Sequence, residues 1–353
     1  VQVWNHDRND RVTVHDYGDP CEGLRPVQIV AAKNGSFCGQ VVVSSNAAIS
    51  GVKVTPGELK GPGTIPAANV AVLYGRMDFR ERKIGTWCDS LAGKPVTEVP
   101  VSKEGGSATL PLLMRVKIPA DAKPGMYKGN VAVSASGENV SVPLEVEVHD
   151  WKVPDPKDYR TYMGIYQSPT SVALQYKVDM WSDEHWKLVE KSVAMLSRVG
   201  NKMVNIPVVE QTQFGNDRGF VTWVRKADGS YDHDISVVEK YVGMALKHWG
   251  GLDYVTFQIW HAAGGGGKGG WDTRPADTKC TVTVRDEKTG KYESMQVPVF
   301  GSEESRKFWR PVLAKIHASL EKMGVEKGMC VGILSDSTAP NGVFEMFNDV
   351  FPG

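Results

Sequence analysis

The sequence predicts a multidomain β plus α/β protein, an N-terminal β-sandwich followed by about half of a (β/α)8 TIM-type barrel. Three observations carry this prediction. Strand-like runs separated by Gly, Pro, Asn and Ser clusters fill the chain to about Val148, a proline-rich stretch interrupts it, and from Tyr159 onward short apolar runs alternate with amphipathic stretches. About eight such strand–helix units close a barrel, whose chemistry lies at the carboxyl ends of its strands.

In the first region, residues 1–150, the runs Val27–Ala31, Gly39–Ser44, Val70–Tyr74, Leu110–Ile118, Gly129–Ala135 and Val140–Val148 have the spacing of sandwich strands. Val140-Ser141-Val142-Pro143-Leu144-Glu145-Val146-Glu147-Val148 alternates apolar with mostly polar residues, as a half-buried strand does. Pro143 lacks a backbone N–H and points to an edge or end position. Residues 151–158 contain Pro154 and Pro156, which exclude helix and favour an extended linker.

In residues 159–353 the period changes. Tyr162–Tyr166 is expected as a first short strand, and Asp183–Val199 as a helix with Trp186, Val189, Val193, Leu196 and Val199 on one face, capped by Ser182 or Asp183. Val204–Val209 is the second strand and Ile235–Trp249 the second helix. Tyr254–Trp260 is the third strand, Arg306–Met323 a helix stopped by Gly324, Met329–Leu334 the fourth strand and Val343–Val350 a short last helix. This order implies parallel strands covered on both faces, and Ile206–Val209 and Val331–Leu334 are continuously apolar as that requires. A long insertion, residues 262–304, separates the third strand from its helix. It opens with Gly264–Gly267 and holds an expected hairpin of Cys280–Arg285 and Tyr292–Val299, over the face where a barrel carries its site.

Composition narrows the function. Lys and Arg total 41 and so do Asp and Glu, giving a formal net charge of zero, so neither nucleic acid nor an anionic membrane is an expected partner. No window approaches the ~20 apolar residues of a membrane helix, and no charged-then-apolar leader opens the chain. The first residue, Val1, is read as a sign of processing or trimming. The five cysteines lack the paired spacing of a zinc site; Cys330 reads as a buried thiol, and Cys21, Cys38 and Cys88 allow one disulfide in an exported protein. No metal or cofactor is expected. Asp232-His233-Asp234 resembles a ligand cluster, but capping of the next helix by Asp234 explains it better. The run Gly264–Gly270 lacks the Lys-Ser/Thr of a phosphate cradle and reads as a lid or linker.

Several segments carry a family resemblance. Ala31-Ala32-Lys33-Asn34-Gly35-Ser36-Phe37 leading into Gln40–Val43, and Ile118-Pro119-Ala120-Asp121-Ala122-Lys123-Pro124-Gly125-Met126-Tyr127-Lys128-Gly129, resemble the N-terminal β-sandwich of glycoside hydrolase family 123 proteins and their relatives. Trp223-Val224-Arg225-Lys226-Ala227-Asp228-Gly229-Ser230-Tyr231 and Gly332-Ile333-Leu334-Ser335-Asp336-Ser337 resemble the barrel region of the same group. The resemblance implies a carbohydrate-active enzyme with a glycan substrate, cleaving glycosidic bonds in polysaccharide degradation. A secreted, periplasmic or cell-surface location of bacterial type accompanies that expectation. In the family, an Asp-Glu pair after the fourth strand performs the chemistry: the Asp orients the substrate's 2-acetamido group for attack on the anomeric carbon, and the Glu is the general acid. Here only Asp336 has a counterpart, and Ser337 stands where the acid is expected. A serine hydroxyl does not serve as a general acid near neutral pH. Either another carboxyl group supplies the acid, the reaction differs, or the chain is a non-catalytic glycan-binding or structural relative.

Strand ends supply the candidates. Asp336 follows the fourth strand and is read as catalytic, against a helix cap or a brace for Ser337 and Thr338. Glu210 follows the second strand, against an ordinary loop carboxylate. Turned inward, the two make the acid and base or nucleophile pair of a glycosidase, with a separation of about 5 Å for retention and more for inversion. His261 ends the third strand as a catalytic group, against a structural hydrogen-bonder. Tyr166, Gln258, Trp260 and Trp271 form the expected substrate-binding set, the aromatic rings stacking on sugar or else packing in the core. A four-stranded parallel sheet leaves an uncovered edge, so further polypeptide, from a longer precursor or another chain, is expected to complete the barrel.

Overall fold

The computed structural model describes residues 1–76, 88, 90–261, 280–333, 339 and 342–350. Contacts divide the chain into Val1–Pro154, built by period-two alternation, and Asp155–Gly353, where strands are followed by helices.

The first unit contains β1 (Gln2–Asn5), β2 (Val27–Lys33), β3 (Ser36–Ser45), β4 (Lys53–Pro56), β5 (Val70–Arg76), β6 (Ala108–Lys117), β7 (Gly125–Ala135) and β8 (Glu138–Lys152), with shorter strands between them. One sheet runs β1-β3-β6-β5 and ends on Ser90–Ala92. A second runs β2-β8-β7 and continues to Leu59–Lys60 and Thr64–Ile65, with β4 also on β7. In β8 the alternation places Val142, Leu144 and Val146 at 0% exposure while Ser141 and Glu147 face out. Those side chains share one apolar core with Val41 and Val43 of β3 and Leu110, Leu112 and Met114 of β6. The β7–β8 hairpin turns on Ser136 and Gly137, both at positive φ (50° and 84°), the backbone that matches the twist of two antiparallel strands.

Pro143 departs from expectation, because β8 is flanked on both sides. The parallel β2 ladder, however, begins at Leu144 with Val27, so Pro143 pairs only with Asn130 of β7 and needs no N–H toward β2. Pro111 repeats the arrangement. It pairs with Val42 of β3, whereas the β5 ladder begins at Leu112 with Tyr74. Gly75 of β5 gives its ring room, since a Cβ there would lie 2.9 Å from the Pro111 ring carbons. No disulfide joins any of the five cysteines, so the N-terminal pairing that the sequence allows is not present, and Cys330 is half-buried rather than buried.

The second unit contains α1 (Pro169–Tyr176), α2 (Asp183–Leu196), β9 (Met203–Pro207), β10 (Thr222–Arg225), β11 (Tyr231–Asp234), α3 (Ser236–Trp249), β12 (Tyr254–Gln258), β13 (Thr281–Asp286), β14 (Tyr292–Gln296), α4 (Glu303–Met323), β15 (Met329–Val331) and α5 (Val343–Val350). Serine oxygens accept the first free amides of three helices: Ser168 from Ser171, Ser182 from His185 and Ser302 from Ser305. Gly250 and Gly324 close α3 and α4 in the left-handed region. The strands β9, β12 and β15 form a parallel sheet in that order.

Tyr162–Tyr166 is not a strand. Only Met163 bridges, in parallel, to Asn201 just before β9, and the Asn201 side chain takes the Ile165 amide instead of a ladder carbonyl. The sheet is also not apolar on both faces. Val204, Ile206, Val255 and Phe257 lie at 2% exposure or less in a core with Val189 and Val193 of α2, Val242 and Ala245 of α3, and Leu313 and Ile316 of α4. The other face carries Asn205, Thr256 and Cys330 in register, with the Thr256 hydroxyl 3.2 Å from the Cys330 thiol.

The hairpin of the insertion is present as β13–β14. A second hairpin, β10–β11, follows β9 in the equivalent place, and the two join through a parallel β10–β13 ladder into a sheet of order β11-β10-β13-β14. Asp232-His233-Asp234 is the end of β11 and leads into the next helix, with the Asp234 carboxylate accepting the amide of Ser236, the first residue of α3. Lys315 pairs with Asp232, and the His233 ring packs edge-on against Trp223.

Candidate functional site

Beyond Pro207 the chain leaves β9 but stays against β12, with the amides of Val208 and Val209 both donating to the Gln258 carbonyl. Glu210 comes next, at 4% exposure. It does not project into an open loop. Its amide donates to Thr281 O at 2.8 Å, and its carboxylate Oε1 accepts the Thr283 hydroxyl at 2.7 Å, both on β13.

The loop from Glu210 to Gly219 is organised by buried Asn216. Its Nδ2 donates to the carbonyls of Val209 and Arg218, and its Oδ1 accepts the amide of Thr212 at 3.1 Å and the Thr212 hydroxyl at 2.5 Å. Gln211 adopts φ 55°, a left-handed backbone that these bonds compensate. Gly219 lies so close to the strand that a Cβ would sit 2.1 Å from Val208 O, and its amide donates to Thr283 Oγ1 at 2.9 Å.

The same loop reaches three other predicted residues or their neighbours. Gln258, at 1% exposure, donates from Nε2 to Gln213 Oε1 at 2.5 Å, while its own Oε1 is buried without a hydrogen-bond partner. Tyr166 packs edge-on against Phe214 with ring centroids 6.5 Å apart, and Ser168 Oγ donates to Phe214 O. Tyr166 is half exposed and lies outside any strand, so its expected position at a strand end is corrected. Next to it, Gln167 Oε1 accepts the Tyr241 hydroxyl at 2.7 Å, and burial pushes that phenol well above its ordinary range. Trp260 and His261 follow β12 at 2% and 6% exposure. The Trp260 indole N–H has no partner and its ring meets Phe344 edge-on, while the His261 amide donates to Cys280 Sγ at 3.3 Å. Asp336 and Trp271, with Ser337 and the Gly264–Gly270 run, lie outside the described residues.

Glu210, Gln258 and Tyr166 are thus linked through one loop, and Cys280, which accepts the His261 amide, immediately precedes the strand that holds Glu210. Thr283, Gln213, Asn216 and Asn205 were missed from sequence. The available signal for Thr283 was a hydroxyl within the otherwise apolar run Val282-Thr283-Val284, where a buried polar group needs a partner. Asn205 has neither its amide nitrogen nor its oxygen paired at 5% exposure. Among the described residues, no group of three or more His, Cys, Asp or Glu side chains is arranged to hold a metal ion, and no helix is long and apolar enough to cross a membrane.

The catalytic domain described as glycoside hydrolase 123 matches residues 166–347. A family 123 glycoside hydrolase from Clostridium perfringens, solved in work on glycolipid glycan hydrolysis, superposes with a TM-score of 0.77 at 16% identity, over 99% of this chain and 61% of that one. The chain thus spans less than two thirds of the length of that structure. The CooA pilin subunit of enterotoxigenic Escherichia coli aligns with 37% of this chain and 92% of its own at 14% identity, with a TM-score of only 0.23. No curated protein matches the sequence.

Proposed function

The chain belongs to glycoside hydrolase family 123, and from that premise we propose that it hydrolyses glycosidic bonds of 2-acetamido sugars, with Glu210 as the general acid that the serine at position 337 cannot be. The single observation that carries the reading is a carboxylate at 4% exposure immediately beyond a parallel strand, with one oxygen held by a hydroxyl. Asp336 takes the role its family counterpart has, orienting the acetamido oxygen toward the anomeric carbon. Glu210 protonates the leaving oxygen, His261 supports proton movement, and Gln258, Trp260, Trp271 and Tyr166 bind the sugar.

The first unit is proposed to be a β-sandwich and the second the opening half of a (β/α)8 barrel, completed by further polypeptide. The polar second face of the parallel sheet, with Asn205 unpaired, supports that completion. The protein is proposed to act outside the cytoplasm, where glycans are met. A native mass well above that of the 353 residues is expected, and a stable active monomer of that size overturns the completion.

Chromogenic 2-acetamido-2-deoxyhexosides of both anomeric forms test the activity. Glu210→Gln and Asp336→Asn are each expected to lower turnover on the order of 10²- to 10⁴-fold while retaining ligand binding. Unchanged turnover in both variants overturns the site assignment. The serine at position 337 favours a second reading, a glycan-binding relative, which wins if the wild type binds these sugars without cleaving them.

A further inference from the structure

Thr283 lies in the middle of β13 at 1% exposure, between Val282 and Val284, both at 0%. A hydroxyl buried so deeply needs its bonding capacity met, and Thr283 meets it in a directional way. A hydroxyl has one hydrogen to give and two lone pairs to receive. The Gly219 amide donates to Oγ1 at 2.9 Å and occupies a lone pair, leaving the single hydrogen for Glu210 Oε1 at 2.7 Å. The amide can approach because residue 219 is glycine, with no Cβ to strike Val208 O. The backbone of Glu210 is held by the same strand, through its N–H to Thr281 O at 2.8 Å.

We infer that Thr283 is a positioning residue that anchors Glu210 Oε1 as a permanent acceptor and leaves Oε2 as the oxygen that carries and delivers the proton. This inference rests on the reading of Glu210 as the general acid. A carboxylic acid hydrogen on Oε1 would face the only hydrogen Thr283 has, so the protonated form places its hydrogen on Oε2. In the transfer, the Oε2–H bond breaks as the proton passes to the leaving glycosidic oxygen, and the electron pair stays on the carboxylate, whose charge Thr283 continues to solvate at Oε1. The clamp also gives the paired hairpins a role. The β10–β13 ladder sets Thr222 opposite Thr283, so the segment after β9 and the segment after β12 together fix one carboxylate. Threonine suits the position because its branched Cβ restricts χ1 and keeps the hydroxyl aimed.

Thr283→Val removes the hydrogen and keeps the shape, and Thr283→Ser keeps the hydrogen. On the chromogenic substrate, Thr283→Val is expected to lower kcat on the order of 10- to 100-fold at unchanged KM, the cost of a misplaced acid, with Thr283→Ser within about threefold of wild type. If Thr283→Val does not fold, Thr283→Ala against Thr283→Ser reads the same contrast. A Val or Ala variant with wild-type kcat while Glu210→Gln is inactive overturns the clamp alone. A kcat loss that Ser fails to restore also overturns it, because any structural gap would produce that. Wild-type turnover in Glu210→Gln overturns the acid assignment itself, and the clamp with it.

Discussion

The two units bury different kinds of side chain. Among the described residues of the first unit only Ser44 and Thr109 are buried polar groups, whereas the second buries thirteen, Asn205, Glu210, Asn216, His233, Gln258, His261 and Thr283 among them. An apolar core needs only volume and alternation, but each buried polar group needs a partner or loses free energy. The first unit is therefore organised for packing, and the second gives up stability to hold polar groups in place, as sites of chemistry do.

The largest test of this contrast is in the first unit. Leu144→Ala removes a side chain at 0% exposure from the middle of β8 and is expected to cost about 3 kcal/mol in denaturant unfolding, equally at pH 5 and pH 7. A loss below about 1 kcal/mol, or one that varies with pH, means that packing alone does not hold this unit. In the second unit pH should matter. Burial first, and then the Lys315 ammonium, push His233 from 6.5 down to about 4. The unfolded chain therefore binds a proton that the folded one refuses between those values. The stability His233 permits is complete above pH 6.5 and is lost as pH falls toward 4, by up to about 3 kcal/mol. In His233→Phe the pH slope of unfolding should flatten by about one proton, and an unaltered slope rejects the assignment. The smallest effect concerns Asn205. Replacing an unpaired buried amide with Leu is expected to raise stability by about 1 kcal/mol; a loss instead means that water or polypeptide satisfies that amide in solution.

Locally encoded features were legible. The β8 alternation, the α2 and α4 stripes and the serine caps each need only neighbours within a few residues, and the strands and helices that depend on them occur within a few residues of their expected ends. Features that depend on distant partners were not. Tyr162–Tyr166 has an apolar, strand-like composition, yet an Asn201 side chain takes the bond a ladder would need. Pro143 reads as an edge marker until the β2 register shows where the neighbouring ladder begins. The β10–β11 hairpin was passed over because its polar Tyr231-Asp232-His233-Asp234 strand lacks an apolar alternation and is stabilised by pairing with Trp223 and Lys315.

By itself the sequence determined the order and kind of most elements and the family patches, because periodicity, capping and turn chemistry act over short separations. It also placed Glu210 just beyond a strand. Only the tertiary structure decided that this carboxylate is buried and bound, since the hydroxyl that meets it comes from β13 and the amide that orients the hydroxyl from Gly219. A hydrogen bond between segments so far apart in the chain depends on parallel pairing between two hairpins, and no local pattern encodes that register.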